Sequence, residues 1–181
     1  MNSFQNRIIR ACMLDSNLYE EVEADKSTQS QAMAVVVLAS IAGGIAFNTG
    51  NLSGGGLSGI ITGIIASLAS WYVWAYLTYF IGTKFLPEPQ TKADLGELLR
   101  TIGFASSPGL LRIFCVIPGV GMLAYSISSV WMLVAMIIAV RQALDYNSTL
   151  RAVLVCVIGY VFQIFVIVLI FSIFGGALPN G

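Results

Sequence analysis

Five uninterrupted apolar stretches, at about 31–48, 57–81, 98–117, 122–140 and 150–174, set what this 181-residue chain can fold into. A helix rises 1.5 Å per residue, so about 18 apolar residues are needed to cross about 30 Å of hydrocarbon. The runs are continuous rather than alternating, which excludes barrel strands, and a helix satisfies its own backbone groups in lipid. The expected fold is therefore all-α: a polytopic membrane protein, a bundle of five transmembrane helices with a short N-terminal interfacial helix. Two parts follow, a cytosolic amphipathic and acidic segment at 1–27 and a membrane domain at 28–181. Composition agrees, with 57% apolar and only 10% charged residues, against about 25% charged in soluble domains.

Charge placement orients the bundle. Arg7, Arg10, Lys26, Lys84, Lys92, Arg100, Arg141 and Arg151 all fall on one side if the N-terminus is inside. Arg112 alone lies deep within a span, Arg100 and Arg151 standing at the inner edges of theirs, and the tail after Phe174 carries no ionisable side chain. The positive-inside rule then gives a cytoplasmic N-terminus, an odd number of crossings and a C-terminus outside. The acidic stretch before the first span has no apolar run of the signal-peptide kind, so that span is expected to act as its own insertion signal.

Local signals mark the boundaries. Thr28 with Gln31, and Thr91 with Asp94, have capping-box spacing, and Asn147 or Ser148 stands ready to cap the last span. Pro118-Gly119 and the glycine-rich stretch at 50–56 break the chain between spans. Within the third span Ser106-Ser107-Pro108-Gly109 predicts a kink, because proline removes a donor and crowds the carbonyl four residues back. At the N-terminus Phe4, Ile8, Ala11 and Cys12 share one helical face, with Arg7 and Arg10 elsewhere on the turn, as in a helix lodged at the membrane surface. A solvated helix and a protein-docking arm are the other readings.

Several residues stand out as candidates. Ala39 with Gly43, Ser40 with Gly44, and the series Gly55, Gly59, Gly63, Ser67 place small residues four apart, which suits close helix packing, first of all between the first two spans. Trp131, mid-span, is expected to pack in the bundle core, and Gln163 to make an interhelical hydrogen bond. Trp71, Trp74, Tyr76 and Tyr79 crowd the inner half of the second span as an interfacial belt. Arg112, beyond Pro108, is a candidate contact for a lipid or anion: it either snorkels to phosphate or broken-helix carbonyls or holds an anionic ligand. No carboxylate lies in any apolar stretch to pair with it.

Charge and residue usage narrow the chemistry. Nine basic and nine acidic residues balance and histidine is absent, so a nucleic-acid partner and a histidine-based metal site are not expected. Cys12, Cys115 and Cys156 have no metal-ligand spacing. No serine or cysteine has a base beside it and no P-loop occurs, so neither a cofactor nor catalysis is expected.

Read end to end, the chain resembles the Yip family, and more closely its short prokaryotic branch. The resemblance rests on Leu18-Tyr19-Glu20-Glu21-Val22-Glu23-Ala24-Asp25 ahead of Gln31-Ala32, and on Leu77-Thr78-Tyr79-Phe80-Ile81-Gly82-Thr83. It continues through Leu98-Leu99-Arg100-Thr101-Ile102-Gly103-Phe104-Ala105, Pro108, Pro118-Gly119, Trp131, Ala139-Val140-Arg141-Gln142-Ala143-Leu144-Asp145 and Arg151-Ala152. Asn17-Leu18-Tyr19-Glu20 stands where eukaryotic members carry Asp-Leu-Tyr-Gly-Pro. The resemblance implies a five-span bundle with a cytosolic N-terminus, in a family whose eukaryotic members interact with Rab-type GTPases. The function it suggests is a non-enzymatic scaffold or accessory subunit of a prokaryotic plasma membrane, with the lipid bilayer and an integral membrane protein or a second copy as partners. Two alternatives remain: a small transporter or channel built on the broken third span and Arg112, and a membrane-shaping or lipid-binding protein.

Overall fold

The structure, a computed structural model, describes residues 3–50 and 56–174; Gly55 and the tail beyond Phe174 lie outside the described residues. The described part is helical throughout: α1 Phe4–Cys12, α2 Ser16–Ala24, α3 Gln29–Gly50, α4 Gly56–Phe80, α5 Leu95–Ala105, α6 Gly121–Ala143 and α7 Thr149–Phe174, with a π-helical turn at Ile81–Phe85 and 3-10 segments at Lys26–Thr28 and Ser107–Val116.

Four of the five apolar stretches are helices long and apolar enough to cross a membrane, within Lys26–Ala46, Ser58–Phe85, Gly121–Ala143 and Thr149–Val166. The third is not one such helix. Its α-helix lasts 11 residues and gives way to ten residues of 3-10 helix, an unusually long run for that geometry. Pro108 supplies the reason, since it has no N–H to offer Phe104 O; the Ser107 hydroxyl donates to that carbonyl instead, at 2.7 Å, and Ser106 donates to Ile102 O at 3.3 Å. The expected kink is a change of helix type.

This third segment nonetheless runs the length of α3 in the same direction. A Cβ on Gly103 would lie 2.8 Å from Ala32 Cβ, one on Gly109 3.3 Å from Ala39 Cβ, and one on Gly43 3.8 Å from Arg112 Nη1. α6 returns antiparallel to it, with Met132 beside Gly109 and Ser129 beside Arg112. At the near end Tyr146, just past α6, sets its hydroxyl 2.9 Å from Gly82 O and 2.8 Å from Leu86 O, at the foot of α4. Arg151 in the first turn of α7 donates to Pro87 O there as well.

The core sits at this same end. Leu18, Tyr19 and Val22 of α2, Ala32 and Val35 of α3, Leu98, Ile102 and Phe104 of α5, Val140 of α6 and Val155 of α7 are all buried. α5 is covered by α2, α3, α4 and α6, whereas the far halves of α4, α6 and α7 carry exposed apolar residues such as Ile61, Ile65, Leu123 and Phe165. A water-facing surface of that kind is untenable, and hydrocarbon is its natural solvent.

Three helix starts differ from the sequence expectation. Thr28 sits in a 3-10 turn and its hydroxyl donates to Val22 O and Asp25 O, so it ties α2 to α3 instead of capping α3. At α5 the capping box is Asp94 with Glu97, at 2.8 and 2.7 Å, one step past Thr91, which accepts from Glu88 N. Ahead of α7 the amides of Asn147 and Ser148 go to the Glu88 carboxylate, a bridge from the loop after α4.

Candidate functional site

Two polar constellations stand apart from the apolar bundle. The larger is a charged cap at the end where α2, α5 and the ends of α4 and α6 meet. α1 and α2 fold back on one another around Met13-Leu14-Asp15, and arginines of α1 lie between them. Arg7 donates to Glu21 at 3.0 Å, Asp25 at 3.2 Å and Gln31 at 3.0 Å, tying α1 to α2 and α3. Arg10 reaches Asp15 at 2.7 Å and Glu21 at 2.5 Å. The apolar face of α1 packs on protein, with Ala11 buried and Phe4 and Ile8 half-buried against the core, and Arg7 is buried beside it, while Ile9 and Met13 are exposed. An arginine satisfied by two acids and an amide loses less by burial than one buried without partners.

Arg100, 4% exposed, holds the end of α2. Its Nε donates to Val22 O at 2.9 Å and its Nη2 donates to Glu23 O, so a cation meets carbonyls that the helix end leaves open. Glu23 is half-buried beside it, and its carboxyl is pushed up to about 7, first by burial and then by Glu97, Asp145 and Glu20, against the opposing pull of Arg100. Glu88 goes the other way: the amide of Asn147, then Gln90, the amide of Ser148 and Arg151, hold it below the usual carboxylate range despite some desolvation. Gln142 donates to Glu20 at 2.9 Å and closes the cap onto α6.

The smaller constellation surrounds Arg112, half-buried in the far part of the bundle. Its guanidinium lies 5.0 Å from the centre of the Tyr125 ring and its Nη2 is 3.4 Å from Ser129 Oγ. Gly43 keeps α3 close to it, and the buried Nε has no hydrogen-bond partner among the described residues. Pro108 is buried four residues earlier on the same segment.

The remaining candidates disperse. Trp71 and Trp74 turn inward, donating to Leu99 O at 3.1 Å and Met136 Sδ at 3.3 Å, while Tyr76 is exposed and Tyr79 half-buried. Trp131 is half-buried and donates to Cys12 O at 2.8 Å, so it anchors the α1–α2 turn rather than the bundle centre. Gly44 lies against Ile60 of α4, but a Cβ on Gly59 or Gly63 would meet nothing within 4 Å. Gln163 is half-buried on α7. The close approaches fall instead at Gly82, against Leu144, and at Gly103 and Gly109. Among the described residues no group of three or more acids or cysteines is placed to hold a metal.

Sequence reasoning missed Arg100 as a clamp, although a cation in an apolar run just past the Asp94 cap was a usable signal. Glu88 and Tyr146 were missed too, and for them no local signal exists, because their partners lie some 60 positions away in the chain.

Four long apolar helices, exposed apolar flanks and a charged end define a multi-pass, all-helical membrane protein. The family described as the Yip1 domain matches residues 16–172, and the chain belongs to that family, whose members are membrane proteins of a non-enzymatic type. No curated protein and no solved structure matches the chain.

Proposed function

We propose that this protein is a scaffold or accessory subunit of a prokaryotic plasma membrane, crossing it five times with its N-terminus in the cytoplasm and its C-terminus outside. The observation that carries the reading is the cap: nearly every ionisable side chain sits at one end, and those of α1, α2, α5 and the loop after α4 are spent on fixing helices to each other. Such a cap presents a fixed arrangement of Glu20, Lys26, Lys84 and Lys92 to the cytoplasm, which suits docking of a partner protein better than a moving gate does. The parallel run of the third segment beside α3 and the shared foot of α4, α6 and α7 support a count of five crossings. The side of each end rests on the positive-inside rule.

Purification in mild detergent tests the reading. The expected result is a stoichiometric integral membrane partner or a defined homo-oligomer whose assembly is weakened by charge reversal at Lys84 and Lys92. A protein that stays monomeric and, alone in liposomes, moves a solute would replace it with the second reading. That second reading, a small transporter or channel, draws on Arg112, whose unpartnered buried Nε beside a broken helix is the one feature favouring it.

A further inference from the structure

The apolar surface that faces lipid ends at two different heights. On the flank of α4 and α7 it reaches the foot of the bundle, with Phe80, Phe85, Leu150 and Leu154 exposed. On the flank of α6 the exposed residues Ile127, Val130, Leu133 and Val134 give way on the same face to Ile137, Ile138 and Arg141, which are half-buried where α2 and α5 pack on α6. Val134 lies about 13 Å short of the end of α6 at 1.5 Å per residue.

The turn between α1 and α2 sits at this step. Trp131, which donates to Cys12 O, is near the middle of α6, and Leu14 faces Ser126, Ile127, Val130, Trp131 and Val134 across an apolar groove of about 470 Å³. Leu14 holds φ at +61°. Asp15 N donates to Arg10 O and Leu14 N to Ala11 O, so it occupies the left-handed position of a helix end that normally takes glycine. A branched apolar residue kept in that strained conformation needs a compensating contact, and the Leu14 side chain packs against the buried core. Next to it the apolar side chains of Met13, 73% exposed, and Ile9, 53% exposed, are uncovered as well. Above them the outward residues of α2, Ser16, Asn17 and Glu20, are polar and exposed.

We propose that the α1–α2 turn is seated in the bilayer, with Ile9 and Met13 continuing the lipid-facing surface of α6 and Asn17 and Glu20 in water, so that the leaflet on this flank is drawn thinner than on the flank of α4 and α7. The inference rests on the reading that α6 crosses the membrane. Seating is apolar in origin and does not require anionic lipid, because Arg7 and Arg10 are engaged by Glu21, Asp25 and Asp15. A flank with a shortened apolar surface is matched by local thinning of the bilayer or by tilt, each at modest cost.

Spin labels decide it. In a background with Cys12, Cys115 and Cys156 replaced by alanine, single cysteines at Met13, Asn17, Val130 and Leu123 are labelled and the full chain is reconstituted in phosphatidylcholine vesicles, with and without phosphatidylglycerol. The expected result is a ratio of oxygen to nickel-chelate accessibility at 13 that matches 130 and stands severalfold above 17, unchanged by the anionic lipid. A water-like ratio at 13, a lipid-like ratio at 17, dependence on phosphatidylglycerol, or exclusion of both reagents at 13 with dipolar broadening from a second copy would each overturn it. Leu123 keeps the two readings apart: a water-like value there removes the crossing of α6 itself. A Met13→Gln variant guards against label artefacts, with faster proteolysis in α1 expected in vesicles while the fold of α3–α7 persists.

Discussion

Single residues decide which helices can touch. Gly103 has Ala32 Cβ at 2.8 Å and Ala32 O at 3.1 Å from where its own Cβ would be, and since backbone cannot swing aside, Gly103→Ala should destabilise by about 1–3 kcal/mol, as overpacking does. Gly59 has open space, so Gly59→Ala should be neutral or stabilising by about 0.5–1 kcal/mol through helix propensity. Thermal unfolding of both variants in one detergent checks the pair, and an equal loss from both would place a neighbouring chain on the Gly59 face. Glycine spacing in the sequence drew attention to Gly59 and Gly63 because a four-residue repeat is visible, whereas Gly103 and Gly82 are isolated and their partners, Ala32 and Leu144, are far along the chain. Glu23 supplies a pH dependence. Its folded carboxyl titrates at about 7 against an ordinary value of 4.5, so between those values the folded form binds the extra proton, and stability falls as pH rises through the interval. Melting from pH 5 to pH 8 should show that decline, and Glu23→Gln should flatten it; a slope of the opposite sign in the unsubstituted protein would contradict the environment described for Glu23.

At the scale of elements, α5 shows best what could and could not be read in advance. Its start was nearly legible, one residue pattern away from the true box of Asp94 and Glu97, because caps are local chemistry. Its break was legible at Pro108. That it is a short buried helix enclosed by α2, α3, α4 and α6 was not, since apolarity marks burial in protein and exposure to lipid alike. α1 illustrates the same limit: periodicity found the helix and its apolar face, but the burial of Arg7 beside that face depended on Glu21, Asp25 and Gln31, on other elements. Arg100 joins α5 to α2 through two carbonyls, and Arg100→Met should cost about 2–4 kcal/mol, chiefly because Val22 O and Glu23 O lose a charged donor inside the fold. The loss should be local first. Hydrogen exchange is expected to rise in α2 well before α3 or α6, and uniform acceleration in all helices would mean that α2 is not a separately held unit.

The whole molecule is organised by the end at which its parts meet. α3 starts beside Arg7, α4 and α6 finish against each other at Gly82 and Tyr146, and α7 sets out from Glu88 and Pro87, all at the capped end. α6 therefore sets out from the opposite end, and the chain between 87 and 120 has to carry it there. A third segment that is not a long α-helix can do so because its α-helical part and its 3-10 part together rise about 36 Å, from 11 residues at 1.5 Å and ten at 2.0 Å. The consequence is a sidedness that reagents can read. With the three native cysteines replaced, single cysteines at Ser27 and at Lys92 should be blocked together by an impermeant maleimide added to inverted membrane vesicles, and one at Val120, 41% exposed in the turn before α6, should be blocked only in right-side-out cells. If Val120 labels from the same side as Lys92, the third segment turns back within the membrane, four helices cross instead of five, and the parallel run beside α3 is not a crossing at all.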